Sequence, residues 1–230
     1  MSIKSNVMQF QLALFFTEEQ LRPDRDFYRL DEKIDVFDLM PTIQPLPEGI
    51  TVDNYPLMKF SSTNQLFTCD ISQTRLDLYL NNHTNPELFK YSNLHAEFRK
   101  HSLAIIDYVY NMTNVKIMRA GVVADYASFC SNPAEKIGST LLKRYKPGSV
   151  EISVRQNIPI TLDGIDCNNL YDIRCGGLIF NKTQHPAVMI QRDINHRVFD
   201  KSCPISEDNL KRMVSTSINE LTEDTFTEAL

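Results

Sequence analysis

A chain of 230 residues with 42% hydrophobic and 23% charged residues has the balance of a globular domain, which excludes a disordered tail or a fibrous repeat. Its 24 Lys plus Arg against 29 Asp plus Glu give a net charge of −5, which argues against a broadly basic nucleic-acid footprint and leaves room only for a local basic patch. No run approaches the ~18 apolar residues of a membrane helix, and the start MSIKSNVMQFQLALFF alternates through Gln9 and Gln11 where a signal peptide would be unbroken. The expected protein is a cytoplasmic single domain over 1–230, without a membrane partner.

Residues 8–16 place Met8, Phe10, Leu12, Leu14 and Phe16 on one side of a period-2 pattern and predict a core strand. The charged stretch 17–29 fits no single period. Between 41 and 56, Pro41, Pro45, Pro47 and Pro56 remove backbone donors, which predicts a long connection that could serve as a docking arm. Short strands follow at 57–61, 65–71 and 74–80, separated by polar turn formers, and RLDLYL sets Leu76, Leu78 and Leu80 on one face. An antiparallel meander is the natural outcome.

Residues 91–111 repeat Leu94, Phe98, Ser102, Ile105 and Val109 at three- and four-residue spacing, which predicts a helix packed on the meander and on the next strand. That strand covers 115–126. A second helix opens with Asn132 as N-cap and Pro133 at the first helical position, carries Ile137, Leu141 and Tyr145 on one stripe, and is expected to stop at Pro147-Gly148. Three alternating segments near 150–160, 170–180 and 187–198 precede a last helix, capped by Ser206 with Glu207 and Asp208 in its positive first turn. Its buried face is predicted to be Leu210, Met213, Val214, Ser217 and Leu221. Several strands followed by a helix occur twice, so the class is α+β, with a mainly antiparallel sheet in two strand-rich halves, each closed by an amphipathic helix. The halves, 1–114 and 115–230, show no residue-level repeat, so a pseudo-repeat is an architectural expectation.

The progression YPLMKFSSTNQLFTCDISQTRLDLYL, the helix from Tyr91, VKIMRAGVV, QRDINH and the closing ELTEDTFTEAL resembles a sporadically distributed bacterial family of uncharacterised proteins. The resemblance covers residues 55–230 and leaves out the Pro-rich N-terminal quarter. It implies a compact bacterial protein and supplies no activity to carry over.

Arg119 is the residue with the least comfortable surroundings, because period 2 places it with Val115, Ile117 and Val123. A guanidinium there needs a carboxylate, carbonyls or an anionic ligand. Asp193 in QRDINH is the attractive internal partner, and an anion site built from Arg119 with Arg192 or His196 is the alternative; Gly121 allows close backbone approach to either. Asp163 and Asp166 in TLDGIDCNNL read as a polar turn better than as oxygen ligands of a cation. Gly176-Gly177 reads as a bulge, and Cys175 with His185 as a thiol beside a turn histidine. Five cysteines without paired spacing predict reduced, buried thiols with no disulfide and no zinc. The one compact basic and aromatic cluster, Lys143, Arg144 and Lys146 around Tyr145, suits the negative end of its own helix before it suits a nucleic acid.

No Walker loop, nucleophile elbow or dinucleotide fingerprint is present, so no cofactor is expected. The leading expectation is a non-enzymatic component that binds another protein or a second copy of itself. The alternative is a protein or enzyme that binds a small anion or nucleotide through Arg119, Asp193 and His196, followed by a nucleic-acid-associated factor.

Overall fold

The computed structural model describes residues 6–18, 22–45, 55–82, 91–180, 182–197 and 202–222, together with 224, 225 and 229. The chain forms β1 (Asn6–Phe16), the single-turn helices α1 (Pro23–Asp26) and α2 (Leu30–Lys33), and the strands β2 (Thr42–Ile43), β3 (Met58–Ser61), β4 (Phe67–Ile71) and β5 (Arg75–Asn81). Then come α3 (Tyr91–Met112), β6 (Ile117–Phe129), α4 (Pro133–Leu141), β7 (Ser153–Leu162), β8 (Ile165–Phe180), β9 (Thr183–His196) and α5 (Glu207–Glu220). All strands join one antiparallel sheet in the order β2-β3-β4-β5-β1-β6-β9-β8-β7. The class is α+β, as the alternating and helical periods require.

The same path is walked twice. In each half a long strand lies at the centre, the chain detours to the rim, and a three-strand meander works back to pair with the central strand before a helix closes the unit. The orders β1-β5-β4-β3 and β6-β9-β8-β7 match, and the halves meet where β1 pairs with β6, Leu12 opposite Val122.

One face of the sheet carries the core. Phe10, Leu12 and Leu14 of β1 and Leu76, Leu78 and Leu80 of β5 are fully buried there, as are Ala120, Val122 and Ala124 of β6. Leu30, Phe98, Ile137 and Leu210, from four of the helices, belong to this same apolar cluster, so all four lie on this side. Phe98 of α3 stacks on Phe10 with ring centroids 5.2 Å apart. The predicted faces of α3 and α5 are buried throughout. α3 covers mainly β1 and β5, whereas β6 is covered by α5, so the expected contact of α3 with the strand that follows it passes instead to the second closing helix. The two helices are joined by Lys211, which reaches Asp107 of α3 as well as Glu207, and by His95, whose Nε2 donates to the Ile218 carbonyl at 2.7 Å.

Local chemistry explains the boundaries. Asn132 accepts from the Glu135 amide and Ser206 from the Asn209 amide, so both helices carry the predicted N-caps. α4 ends at Leu141, short of Pro147, yet Tyr145 still packs over it; a Cβ on Gly138 would lie 2.1 Å from the Tyr145 ring. β7 and β8 are longer than expected because Asp163 and Gly164, both at positive φ (49° and 81°), make a two-residue hairpin turn. The Gly176-Gly177 bulge is not formed. The register with β9 runs through both residues without a shift, and the first glycine serves to admit Met189, whose Cγ would be 2.4 Å from a Cβ at position 176. Thr42 and Ile43 pair with β3, so part of the proline-rich connection is laddered; residues 46–54, on which Pro47 falls, lie outside the described residues. Among the described residues no helix is long and apolar enough to cross a membrane.

Candidate site on the helix-free face of the sheet

Strand alternation sends the other half of each strand to the opposite face, where no helix packs among the described residues. That face is polar and internally bonded. In the first half, Gln9 donates to Asn81 at 2.5 Å, Gln11 to Asp77 at 2.8 Å, and Lys59 lies 3.6 Å from Asp70. In the second half, Gln191 donates to Asp125 at 3.0 Å, and Arg174 lies 3.6 Å from Asp172.

Arg119 belongs to this face. The β1–β6 register slips between Phe15 and Phe16, so Met118 is an extra residue and Arg119 turns away from Ile117, which stays in the core. The apolar company inferred from period 2 is therefore corrected by a bulge. Arg119 does not meet Asp193 directly: its Nη2 donates to Asn195 Oδ1 at 3.0 Å, and Asn195 Nδ2 donates to Asp193 Oδ1 at 3.0 Å. Asn168 adds a 3.1 Å bond to the same Asn195 oxygen. Burial raises the Asp193 pKa, with the bond from Asn195 and the charge of Arg119 opposing it. Gly121 lies opposite Asn195, and a Cβ there would stand 3.1 Å from the asparagine Cβ.

The other two candidates point elsewhere. Arg192 alternates to the helix face, 4% exposed, where its Nε donates to Asn169 at 3.1 Å and its Nη1 to the Glu220 carbonyl and, at 3.3 Å, to Thr225. It also lies over the Tyr171 ring at 5.1 Å. It thus caps the negative end of α5, on the opposite face of β9 from Asp193. His196, paired with Cys167, is half-buried, and its Nδ1 is buried without a hydrogen bond. Burial lowers its pKa, a bond to the Met118 backbone opposes this, and Arg119 adds to the lowering. The four candidates therefore do not converge on one point.

Pairing reveals a different constellation. Phe15 of β1 stands in register with Arg75 of β5 on one side and Arg119 of β6 on the other. The two guanidinium carbons lie 4.9 and 5.3 Å from the centroid of the same ring, hence within about 10 Å of each other. Each arginine has one side-chain partner in hydrogen-bond contact, Asp77 for Arg75 and Asn195 for Arg119, and each has a buried Nε with no acceptor. The sequence held a partial signal, since alternation sets Phe15 off the Phe10/Leu12/Leu14/Phe16 face and Arg75 off the Leu76 face. What it lacked was the register that brings them together.

Lys143, Arg144 and Lys146 are exposed just beyond the end of α4, away from this face. Asp163 accepts from Thr216 of α5 at 2.6 Å and Asp166 from Thr161 at 3.1 Å. Among the described residues no three His, Cys, Asp or Glu side chains gather as a metal site would need. All five cysteines are free; Cys69 and Cys167 are buried, but Cys130 and Cys175 are only partly so and Cys203 is exposed, against the expectation of buried thiols. Burial lifts the Cys69 pKa well above its usual value and that of Cys167 to about 11, so neither is a ready thiolate. Cys175 accepts from the Ile152 amide at 3.4 Å, and His185 meets the edge of Phe129, so the two form no pair.

No protein-family model and no curated protein matches the sequence. A solved structure of a rolling circle replication initiator protein from Geobacillus stearothermophilus aligns with 96% of this chain and 80% of its own at 12% identity. Its TM-score of 0.31 is too low for the likeness to carry an argument.

Proposed function

We propose that this is a cytoplasmic binding protein whose helix-free sheet face holds a small anion bearing two or more phosphate or carboxylate groups. The observation that supports it is the Arg75–Phe15–Arg119 row. Two guanidinium groups flank one ring, each with an unspent Nε donor, and half-burial strengthens their mutual repulsion relative to open water. An anion spanning them would relieve that repulsion. Guanidinium is the cation whose fork fits phosphate and carboxylate in bidentate fashion. Asp193, through Asn195, orients Arg119 and does not itself touch the anion.

The test is a thermal-shift and calorimetric titration with phosphate, pyrophosphate and citrate. At equal concentration pyrophosphate and citrate should stabilise the wild type more than phosphate, and at a hundredfold excess over its Kd a bound anion should add about 2.7 kcal/mol relative to the ligand-free protein. Arg75→Met and Arg119→Met should each remove the response. An unresponsive wild type, or an equal response from the double variant, sinks the proposal.

A second reading, a protein partner or a second copy of this chain, rests on the outer strand β7. The Cys175 amide donates to the Ile152 carbonyl, so alternate residues Ser153, Arg155, Asn157 and Thr161 direct their backbone groups away from β8. Such an edge can accept another strand, though Pro159 interrupts its donors. Asn157→Pro deletes an outward donor and spares the ladder to β8. It should abolish association in sedimentation experiments without unfolding the protein; unchanged association excludes this edge.

A further inference from the structure

The middle of the Arg75–Phe15–Arg119 row is apolar. All three side chains are half-buried on the helix-free face. Because β1 runs between β5 and β6, the two guanidinium groups approach the ring from opposite sides, with their carbons 4.9 and 5.3 Å from its centroid. A ligand that touches both must pass over the phenyl group, where a polar atom would give up water without gaining a hydrogen bond.

The next row inward sets the side from which such a ligand enters. Asp77 stands opposite Ala13, Ala13 opposite Gly121, and Gly121 opposite Asn195. The side-chain partners of the two arginines, Asp77 for Arg75 and Asn195 for Arg119, therefore both come from this one row, toward the middle of the sheet. That leaves the other side of each guanidinium, toward the end of β1, for an added acceptor. The same partners limit the charge that acceptor should carry. Asp77 offsets part of the Arg75 charge directly, and Asp193, behind Asn195, offsets part of that of Arg119. A head with a single negative charge suits each arginine better than a doubly charged phosphate ester.

We propose that the anion held by this row is an aliphatic α,ω-dicarboxylate, with one carboxylate on Arg75, the other on Arg119 and the methylenes over Phe15. The inference rests on the anion-binding reading above and narrows its ligand class. Carboxylate heads match the guanidinium fork one to one, and a methylene chain loses nothing by leaving water for the face of a ring. Malonate and pyrophosphate join their heads through a single bridging atom, so they serve two groups on opposite sides of Phe15 less well than a longer chain does.

The experiment is a calorimetric titration of the full-length protein with malonate, glutarate, adipate, diglycolate and pyrophosphate. Glutarate or adipate should bind about tenfold or more tightly than malonate, as expected when a second head reaches its own site, and more tightly than pyrophosphate. Diglycolate, which is glutarate with its central methylene replaced by oxygen, should bind about threefold or more weakly than glutarate. Arg75→Met and Arg119→Met should each lower glutarate to the level of butyrate, which carries one head on the same chain. In the wild-type complex the glutarate methylenes should show intermolecular nuclear Overhauser contacts to the Phe15 ring. If pyrophosphate binds and neither glutarate nor adipate exceeds it, if diglycolate equals glutarate, or if glutarate binds without contact to Phe15, the dicarboxylate is overturned while the anion-binding reading stands. If none of the five anions binds, both fall.

Discussion

The two halves of the sheet follow one topology and solve their polar problem differently. In the first, the meander strands β3, β4 and β5, of four to seven residues, are shorter than the 22-residue α3, so the covered face is apolar, and charges stay on the open face as direct pairs, Arg75 with Asp77 and Lys59 with Asp70. In the second, β7, β8 and β9 run to 10, 16 and 14 residues and outreach the 9- and 14-residue helices α4 and α5. Polar groups therefore enter even the covered side, where buried Arg192 is held by Asn169 and lies 3.6 Å from the Glu220 carboxylate, while on the open face half-buried Arg119 is held by Asn195. Helix length relative to strand length decides how much of a sheet face can be apolar.

The comparison can be broken first at its apolar side. Phe98→Ala, which removes the ring stacked on Phe10, should cost ~3–5 kcal/mol in chemical denaturation; a loss under ~1 kcal/mol would mean that the first half does not depend on α3. Arg192→Met should cost less, ~2–3 kcal/mol, because it strands the Glu220 carbonyl and the Asn169 oxygen. Hydrogen exchange should then rise at the C-terminal turn of α5 and not in α3. If exchange rises equally in both, Arg192 is no local clamp.

Double-mutant cycles sharpen the contrast between direct and relayed charge. Arg75 and Asp77 should couple by ~1 kcal/mol or more, whereas Arg119 and Asp193 should couple more weakly than Arg119 and Asn195, since the amide lies between them. A strong Arg119–Asp193 coupling that survives Asn195→Ala would restore the direct pair.

The smallest effects are those of pH. His101 of α3 is 3% exposed against Phe67, and burial, with the Lys100 charge, lowers its pKa. Its neutral form is the folded one, so its contribution is complete above the unfolded value of ~6.5 and is lost as pH falls below it. Asp193 runs the other way: its raised pKa makes its contribution complete below ~3.9 and lost as pH rises through the folded value. His101→Gln should flatten the stability loss between pH 7 and 5, and Asp193→Asn should stabilise near pH 7 but not near pH 3. Chemical denaturation at the three pH values checks both signs.

Much of this molecule could be read before folding it. The face of α3, the Asn132 and Ser206 caps, the meander β3–β4–β5 and the face of α5 follow from local period and capping chemistry. What could not be read depends on pairing across the chain. A bulge at Met118 moves Arg119 to the other face, and a second register shift, between Val7 and Gln9, turns Met8 out of the core-facing set; each is a single extra residue in a strand whose alternation looks unbroken in sequence. The Arg75–Phe15–Arg119 row needs three strands aligned at once, and period reports a strand's own faces without saying which strand lies beside it.

The seam between β1 and β6 also governs how the chain comes off the ribosome. Leu12 meets a partner 110 positions later, and at ~5–20 residues per second the second strand is complete only some ~6–25 s after the first has emerged. Through that interval β5 can shelter one edge of β1, while the other, along a strand of 11 residues rich in Phe and Leu, is open to any passing strand. A nascent chain stalled before Ile117 is therefore an aggregation hazard that the finished protein is not. A chaperone that holds extended apolar segments would have its natural target in β1, and release from it would coincide with the arrival of β6.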